Sequence, residues 1–402
     1  MGLNLDKIDF FDNNNTPKDK KIIFFGAGTI VKKFVNNYNK SKILFLVDNN
    51  KKLWGSKYEG IDVQSPDELK KIKYKDITLV IMTTSFIEVI KQVKNINKNL
   101  KITVSHYLKD LINIEYLQYL KKKIVISSGL PANKNKISGG GLYEIKLDGE
   151  NWSTKKVYSG TVHGVIKYNG GFAISDSINS IILLDKNYKI KKKGSFPLNT
   201  RAHGIAFDDV SKNFYIACSN TDSVKVFDTS FNLVQTISIS NKFKKYNSPQ
   251  HHINDIFIKN QNLYICMFSL SGNSKNNIYD GGVYEIDLKN INNIKTIYGN
   301  LYMPHSIKFI NGSFAILDSL KGDLIVGSQK IASFPGFSRG LSFDENFYYV
   351  GQSRNRNYSI INQNKNNISI DNSVLIYDPK NKFSRNLYLP NSISEIHEVL
   401  VL

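Results

Sequence analysis

From residue 123 onward the sequence is an internal repeat of short β-strand-like segments separated by turns rich in glycine and asparagine. One segment occurs five times, as HGVIKYNGGFAISDS, HGIAFDDVSKNFYIACS, HINDIFIKNQNLYICMFS, HSIKFINGSFAILDS and RGLSFDENFYYVGQS. A second segment follows each copy, as NSIILLD, DSVKVFD, GGVYEID, GDLIVG and NSVLIYD. A spacing of about forty to fifty residues is typical of the blades of a β-propeller, in which each blade buries its faces only against its neighbours.

The repeat predicts six blades. The segment GGLYEIKLD near residue 141 lacks a first strand before it, and the C-terminal SISEIHEVLVL is a candidate for that strand. We therefore expect a first blade from residues 391–402 and 123–160, and further blades that begin near residues 161, 201, 250, 302 and 338. The prediction is a six-bladed β-propeller over residues 123–402 that is closed by the C-terminal strand.

Residues 20–107 follow another pattern, in which apolar strand-like runs alternate with segments of helical periodicity. Such alternation predicts a Rossmann-like parallel sheet with right-handed crossovers. Residues 1–19 are interpreted as an N-terminal extension and residues 108–122 as a linker helix. The expected fold class is thus multidomain, α/β followed by all-β.

The first predicted domain contains a candidate phosphate-binding turn. Gly26 and Gly28 follow the strand KKIIFF, and Asp48 ends the next strand about twenty residues later. Missing side chains let backbone amides and a helix N-terminus approach a phosphate, and the carboxylate is placed to bind ribose hydroxyls. Val31 stands where a third glycine is usual, and a turn needed only for chain geometry is the alternative. The same ligand would contact Thr83 and Thr84, which with Ser85 could also cap the following helix.

The order FFGAG, FLVDNN, WGSKYEGIDVQSPDEL and VIMTTS resembles the nucleotide-sugar-binding domain of bacterial sugar O- and N-acyltransferases. The resemblance covers about the first quarter of the chain. It implies that Gly26, Gly28 and Asp48 face a nucleotide or nucleotide-sugar. A NAD-dependent oxidoreductase is a further hypothesis, and it requires dinucleotide binding by this domain.

Six of the 7 histidines stand near the beginnings of the repeated segments. In register, His163, His203, His305 and His397 begin the innermost strands, which line the central channel, and Arg339 takes that place in the sixth blade. Either His251 or His252 is expected to complete the ring. Serines and two aspartates are expected at the same mouth, where the next strands end: Ser177, Ser219, Ser269, Ser319, Ser353, Asp176 and Asp318.

Three interpretations of this ring remain open. Imidazoles from different blades can hold a divalent transition metal such as Zn, Mn or Fe, with Asp255 as an added carboxylate. Without metal, the arginines could clamp a phosphate, sulfate or sugar acid. In the third interpretation each histidine is a tether repeated by duplication. The candidate metal ligands are His163, His203, His251, His252, His305, His397 and Asp255, and the candidate anion ligands are Arg201, Arg339, Arg354 and Arg356.

Composition narrows the functional classes. The formal net charge is +20, but the lysines are spread along the chain without a nucleic-acid-binding motif, so no nucleic-acid partner is expected. The 2 cysteines, Cys218 and Cys266, are too few for a disulfide framework and are expected to be buried thiols. No apolar run has the length of a signal peptide core or a membrane span, which favours a cytoplasmic protein.

The propeller segments around MPHSIKF and FPGFSRGLSF resemble a family of uncharacterised bacterial propeller proteins, which implies no reaction. The domain pairing favours an enzyme that acts on an activated sugar or glycan in cell-surface polysaccharide metabolism, as a lyase, epimerase or hydrolase. Acid–base or metal-assisted chemistry would fall to His163, His203, His252, His305 and Arg339. The alternative is a non-catalytic ligand-sensing or scaffold propeller with a nucleotide-binding module.

Overall fold

The structure is a computed structural model of the chain. It describes residues 9–11, 21–35, 38–73, 77–130, 139–178, 180–195, 199–354 and 367–402. The chain forms two compact units, Met1–Tyr119 and Leu120–Leu402. No helix in these ranges has the length and apolar character that crossing a membrane requires.

The described residues of the first unit form a seven-stranded sheet with three α-helices. Its strands are β1 (Phe10–Phe11), β2 (Lys21–Phe25), β3 (Ile43–Val47), β4 (Lys57–Tyr58), β5 (Ile61–Gln64), β6 (Ile77–Ile81) and β7 (Lys101–Ser105). Its helices are α1 (Thr29–Val35), α2 (Phe86–Ile96) and α3 (Lys109–Gln118). The sheet order is β1-β7-β6-β2-β3-β5-β4. All five residues of β6 are buried, as expected for a strand covered on both faces.

The predicted Rossmann-like parallel sheet is wrong, because this sheet is mixed. Strand β4 pairs antiparallel with β5 through Lys57↔Asp62 and Tyr58↔Ile61. Glu59 and Gly60 between them both have positive φ, 52° and 83°, as in the tight turns that favour hairpins. The described residues between β3 and β6 contain 3₁₀ turns and this hairpin but no α-helix. The sequence YEGIDVQSPDELKKI therefore does not supply the helical crossovers that a doubly wound sheet requires.

The second unit consists of six four-stranded antiparallel sheets, which confirms the six-bladed propeller. Its first three blades are β8 (Lys121–Ser128), β9 (Gly141–Asp148), β10 (Asn151–Ser159) and β31 (Glu398–Val401); β11 (Val162–Tyr168), β12 (Gly171–Asp176), β13 (Ser180–Leu184) and β14 (Ile190–Lys193); and β15 (Ala202–Asp208), β16 (Asn213–Cys218), β17 (Ser223–Phe227) and β18 (Leu233–Ser238). Helix α4 (Lys242–Tyr246) precedes the fourth blade.

The remaining blades are β19 (Ile253–Lys259), β20 (Asn262–Met267), β21 (Gly281–Asp287) and β22 (Asn290–Leu301); β23 (His305–Ile310), β24 (Ser313–Asp318), β25 (Asp323–Val326) and β26 (Gln329–Ser333); and β27 (Phe337–Phe343), β28 (Tyr348–Ser353), β29 (Ser373–Asp378) and β30 (Phe383–Tyr388). The innermost strands, β31, β11, β15, β19, β23 and β27, contact one another in a cycle around the channel. The chain as a whole is mostly β-structure, so the predicted α/β plus all-β class is also corrected.

The prediction that the C-terminal strand closes the propeller is corrected as well. The first sheet takes three of its four strands from residues 121–159, and the four-residue strand Glu398–Val401 is added to it through antiparallel pairing with β8. The segment before it, which was expected to belong to that strand from residue 391, is not strand.

Buried apolar side chains fill the spaces between blades. Ile237, Ile253 and Ile265, from the third and fourth blades, belong to one such cluster. Cys218 and Cys266 are buried and unpaired, as predicted, and each lies in a cluster of this kind. Burial raises the pKa of the Cys218 thiol to about 12, so it is an unreactive packing residue.

The repeated aspartate of NSIILLD, DSVKVFD, GGVYEID and NSVLIYD has a structural role. Asp185, Asp228, Asp287 and Asp378 stand at the ends of third strands, and each carboxylate accepts a hydrogen bond from a backbone N–H two to four residues later. An Asp side chain that bonds its own turn in this way fixes a tight reversal of the chain. The repeated aspartates are therefore turn residues of the blades.

We expect Asp378→Ala to destabilise the propeller by about 1–2 kcal/mol, because it removes three hydrogen bonds at a buried position. Oδ1 accepts from the amides of Lys380 (2.8 Å) and Asn381 (3.0 Å), and Oδ2 accepts from the Asn381 side chain (2.7 Å). Urea denaturation measures the loss. The control is Asp371→Ala in the same blade, whose side chain is exposed. An equal loss in both variants would contradict a specific role for the turn.

Candidate functional site

Five of the six innermost strands carry a register shift near their first residues, and this irregularity defines the candidate site. In five blades the shift lies at Val162/Gly164, Ala202/Ile205, Ile253/Asp255, His305/Lys308 and Arg339/Leu341. A β-bulge of this kind bends the strand and re-aims the side chains beside it. Ser306 and Gly340 in two of these bulges have positive φ, 61° and 75°. We call the residue that stands in or immediately before each bulge, together with its counterpart before β31, the ring position.

The ring position holds His163, His203, His305, Arg339 and, before the C-terminal strand, His397, as the repeat predicts. The fourth blade differs, because its pairing aligns Ile253 with Val162 and Asp255 with Gly164, which places Asn254 there. Neither His251 nor His252 occupies the register. A small cavity on the channel axis is lined by His163, His203, Asn254, His305 and His397, together with Gly204, Asp255, Ser306 and Glu398 of the following layer. Asn254 could have been found by aligning the apolar residues Val165, Ile205 and Ile256 rather than the histidines.

Three imidazoles converge in this cavity. His163, His203 and His397 offer ligand nitrogens that all lie within 4.8 Å of one another. The ring centroid of His163 lies 4.2 Å from that of His203 and 4.3 Å from that of His397. His203 Nε2 is buried and has no hydrogen-bond partner among the described residues. We refer to these three residues as the histidine cluster.

Neighbouring groups fix the cluster. Ser177, at the end of the second strand as predicted, places its Oγ 2.7 Å from His163 Nδ1 and donates to the Ala202 carbonyl at 3.0 Å. This contact occupies Nδ1 and leaves Nε2 to face the cavity. On the other side stands Gly129, where an added Cβ would lie 2.5 Å from His163 Nε2 and 2.6 Å from His397 Nε2. Only glycine leaves the two imidazoles their observed positions.

His305 lines the same cavity but lies outside the cluster, and two aromatic rings flank it. The Phe268 ring lies 5.2 Å and the Phe337 ring 5.6 Å from the His305 ring, both edge to face. Its Nδ1 lies 2.9 Å from the Met303 carbonyl and 2.8 Å from Ser319 Oγ. His305 therefore resembles the predicted tether more than a ligand.

The adjacent residues His251 and His252 have different surroundings. His252, with φ 52°, stacks on Phe268 at 4.3 Å and lies 5.9 Å from His203, so it borders the cluster. His251 is turned away and is buried between Ser240 Oγ, 2.7 Å from its Nε2, and the Ser269 carbonyl, 2.9 Å from its Nδ1. Of the two, only His252 can act at the channel mouth.

Two arginines give the mouth a positive potential. Arg339 Nη1 lies 3.3 Å from His397 Nε2, and the Glu395 carboxylate lies 3.3 Å from the same nitrogen and 3.8 Å from the guanidinium. Arg201 is exposed, has φ 45°, and lies near enough to lower the pKa of His163 and His252. Arg354 is exposed, and Arg356 lies outside the described residues.

Burial favours the neutral form of the four imidazoles at the ring position. Burial, together with Arg201 and Arg339, lowers the pKa of His163 to about 3, and burial lowers those of His203, His305 and His397 well below the usual value. Neutral imidazole nitrogens are the form that binds metal ions.

The aspartates of the predicted polar ring accept hydrogen bonds from other groups of the protein. Asp176 accepts from the Tyr158 hydroxyl and the Ile178 amide, and Asp318 accepts from the Tyr302 amide.

The layer below the ring position contains a charged cluster that sequence analysis missed. Lys308 Nζ lies 2.8 Å from Glu398 Oε2. Asp255, predicted as a metal ligand, belongs to this layer: its Oδ1 accepts from the Ile256 amide at 2.9 Å, and its Oδ2 is buried without a hydrogen-bond partner among the described residues. Burial, opposed by Lys308 and aided by Glu398, raises the pKa of Asp255 to about 7. Asp255 and Glu398 replace the glycines of other blades, which was visible in the repeat.

In the first unit, the residues predicted to bind a nucleotide are engaged in the turn itself. Asp48 accepts hydrogen bonds from the amides of Ala27 and Asn50, each at 2.7 Å. Gly26 has φ 114°, and a Cβ there would lie 3.1 Å from the Met82 carbonyl oxygen. Nothing lies within 4 Å of a Cβ at Gly28, Thr83 is half-buried and Thr84 exposed, and Ser85 makes no capping hydrogen bond to α2. Nucleotide binding here stays a prediction.

We expect acid to destabilise the folded propeller in part through His252. Burial, aided by Arg201 and Arg339, lowers its pKa to about 3, against about 6.5 for an unfolded chain. Below pH 6.5 the unfolded chain binds a proton that the folded chain does not, so stability is lost as the pH falls from about 6.5 toward 3. His252→Gln should lose about 1–2 kcal/mol less than wild type between pH 7 and 5 in urea denaturation. Parallel losses in the two proteins would contradict the lowered pKa.

Comparison with known proteins places the chain in a family. Residues 18–103 match the model described as C2185-like, N-terminal, and neither family match supports the expected resemblance to sugar acyltransferases. No curated protein matches. Similar solved structures include the nidogen/laminin complex (10% identity, TM-score 0.49, 70% of this chain and 98% of that one), a protein of unknown function from Bacteroides caccae (11%, 0.47, 70% and 99%) and the calcium-binding protein regucalcin from Agrobacterium tumefaciens (13%, 0.39, 59% and 74%). Residues 201–402, half of the chain, match the model described as Domain of unknown function (DUF4915), and the chain therefore belongs to the DUF4915 family.

Proposed function

We propose that the propeller is a metal-dependent enzyme whose histidine cluster holds one divalent transition metal ion. The observation that supports this proposal is the convergence of three neutral imidazoles from three different blades, with ligand nitrogens within 4.8 Å of one another. Three histidines with an open position are a common ligand set for catalytic zinc.

The dimensions of the cluster suit a single ion. Zn–N bonds of about 2.1 Å hold tetrahedral ligand nitrogens about 3.4 Å apart, so side-chain shifts of about 1 Å would close the cluster on an ion. The cavity among the histidines is about 10 Å³, close to the space of one water molecule and far below that of a sugar. An organic substrate would therefore contact the ion from the channel mouth and not lie among the imidazoles.

The surroundings of the cluster support an anionic or strongly polar substrate. A bound ion would supply Lewis-acid polarisation of a carbonyl or phosphoryl oxygen, or a bound water of lowered pKa. Arg201, exposed at the mouth, and Arg339 offer planar forks for a carboxylate or phosphate, while Glu395 offsets part of the charge beside His397. We therefore propose hydrolase or lyase chemistry, and an activated sugar or glycan is the substrate class to test first.

A ligand-sensing or scaffold propeller is the second candidate. It is favoured by the tethering of His305 through Nδ1, which contacts Ser319 and the Met303 carbonyl, and of His251 through both nitrogens, which contact Ser240 and the Ser269 carbonyl. If all the imidazoles were tethers, replacing them would lower the stability of the propeller but would not reduce metal binding or turnover.

We expect purified protein, after incubation with Zn²⁺, Mn²⁺ or Fe²⁺ and desalting, to retain about one equivalent of metal by mass spectrometry. His163→Ala/His203→Ala should retain less than about a tenth of an equivalent, because two of three ligands are gone. His305→Ala is the matched control, since it removes an imidazole at the ring position but outside the cluster, and it should retain the metal. Circular dichroism checks that each variant is folded.

Either of two outcomes would overturn the metal site: no metal in folded wild type with any of the three ions, or equal retention by wild type and the double variant. With the metal site established, hydrolysis and elimination are tested on nucleotide-sugars and anionic glycans. Arg201→Gln should then raise KM with little change in kcat, because the arginine binds substrate without contacting the ion.

A further inference from the structure

The opposite end of the channel opens into a second cavity, of about 670 Å³. All six innermost strands line it, with residues that follow the bulges. A strand rises about 3.3 Å per residue, so Ile166 and Phe207, three and four residues beyond the ring position, lie about 10–13 Å from it. We call this cavity the basin. Its volume lies within the range of about 300–1,000 Å³ found for small-molecule sites.

The walls of the basin are apolar and its rim is polar. Half-buried apolar residues of five strands line it: Ile166, Phe207, Phe257, Phe309 and Phe343. Exposed polar side chains surround the opening: Lys167, Asn169, Asp209 and Asn311. Apolar walls with few convergent polar groups favour a ligand that has an apolar body and is oriented by one polar group.

That polar group is the ammonium of Lys308. An ammonium has three N–H donors, and among the described residues Lys308 Nζ makes one hydrogen bond, to Glu398 Oε2 at 2.8 Å. Its side chain is 23% exposed, whereas that of Glu398 is 6% exposed. The other carboxylate oxygen of Glu398 accepts from the Val399 amide at 3.1 Å and the Leu341 amide at 3.4 Å. Both carboxylate oxygens of Glu398 thus accept hydrogen bonds from the protein, whereas the Lys308 ammonium has further N–H donors that can bind a ligand.

We propose that the basin is a ligand site for a small molecule with an apolar or aromatic body and a terminal hydrogen-bond acceptor, which the Lys308 ammonium binds. The ligand enters between Lys167 and Asn311 at the rim, and its body packs on the phenylalanine walls. This site does not depend on a metal in the histidine cluster, because it lies in a different part of the channel and uses none of the ring residues.

The test uses two probes of the same shape, acetophenone and α-methylstyrene, in which a CH₂ group replaces the carbonyl oxygen. Their affinities for the full chain are measured by ligand-observed NMR titration. Wild type should bind acetophenone at least about tenfold more tightly, since a hydrogen bond to a charged group is lost in the hydrocarbon. The variant Lys308→Met/Glu398→Gln should bind both probes equally. It removes both charges of the Lys308–Glu398 ion pair at once, so Glu398 is not left as a buried carboxylate without its cation.

Lys167→Met is the matched control, because it makes the same substitution at the rim of the basin. It should preserve the preference for acetophenone. Equal affinities in wild type, no binding of either probe, or a preference that survives in Lys308→Met/Glu398→Gln would each overturn the proposal. If the double variant does not fold, a crystal of wild type with acetophenone decides: the ketone oxygen lies within hydrogen-bond distance of Lys308 Nζ, or the proposal fails.

Discussion

The channel of this propeller depends on one local feature, the β-bulge after the first residues of the innermost strands. Glycine stands in or beside the bulge in three blades (Gly164, Gly204 and Gly340), and Ser306 stands in the bulge of a fourth. Gly340 and Ser306 have positive φ, which suits residues without a large side chain. An added Cβ at Gly204 would lie 2.6 Å from Asp255 Oδ1, and at Gly340 it would lie 2.6 Å from the Val399 amide. Small residues in some blades therefore make room for the acidic residues of others.

This division of space orders the channel into layers. Imidazoles, Asn254 and Arg339 occupy the ring position, Asp255 and Glu398 fill the bulge layer with Lys308 beside them, and apolar side chains surround the basin beyond. Glu398 lines both the small cavity and the basin. The charged layer thus separates a site that fits one ion from a site that fits an organic molecule, and the two need not bind the same ligand.

The repeat was sufficient to predict the number of blades, their starting points and most of the ring, because period and strand alternation are properties of the sequence alone. It was insufficient for the fourth blade, where aligning His251 or His252 with the other histidines gave the wrong register, because Asn254 occupies the ring position. The first unit was mispredicted because parallel and mixed sheets both begin with buried apolar strands, and the Glu59–Gly60 hairpin decides between them. Lys308 and Glu398 were missed because residues distant in sequence pair only after the ring of strands has formed.

The asymmetry of the ring explains why a cluster forms at all. His397, His163 and His203 come from consecutive blades, so neighbouring imidazole centroids lie 4.2 and 4.3 Å apart and the outer two 5.8 Å apart. Six histidines in six-fold arrangement would place the imidazoles on a wide circle around the axis, with no three of them converging. Here Asn254 and Arg339 interrupt the circle, Phe268 and Phe337 flank His305, and the remaining three lean together over Gly129. Tethers alone would not require convergence, since each needs only its own partner, and His203 Nε2 has no hydrogen-bond partner within the described part of the chain.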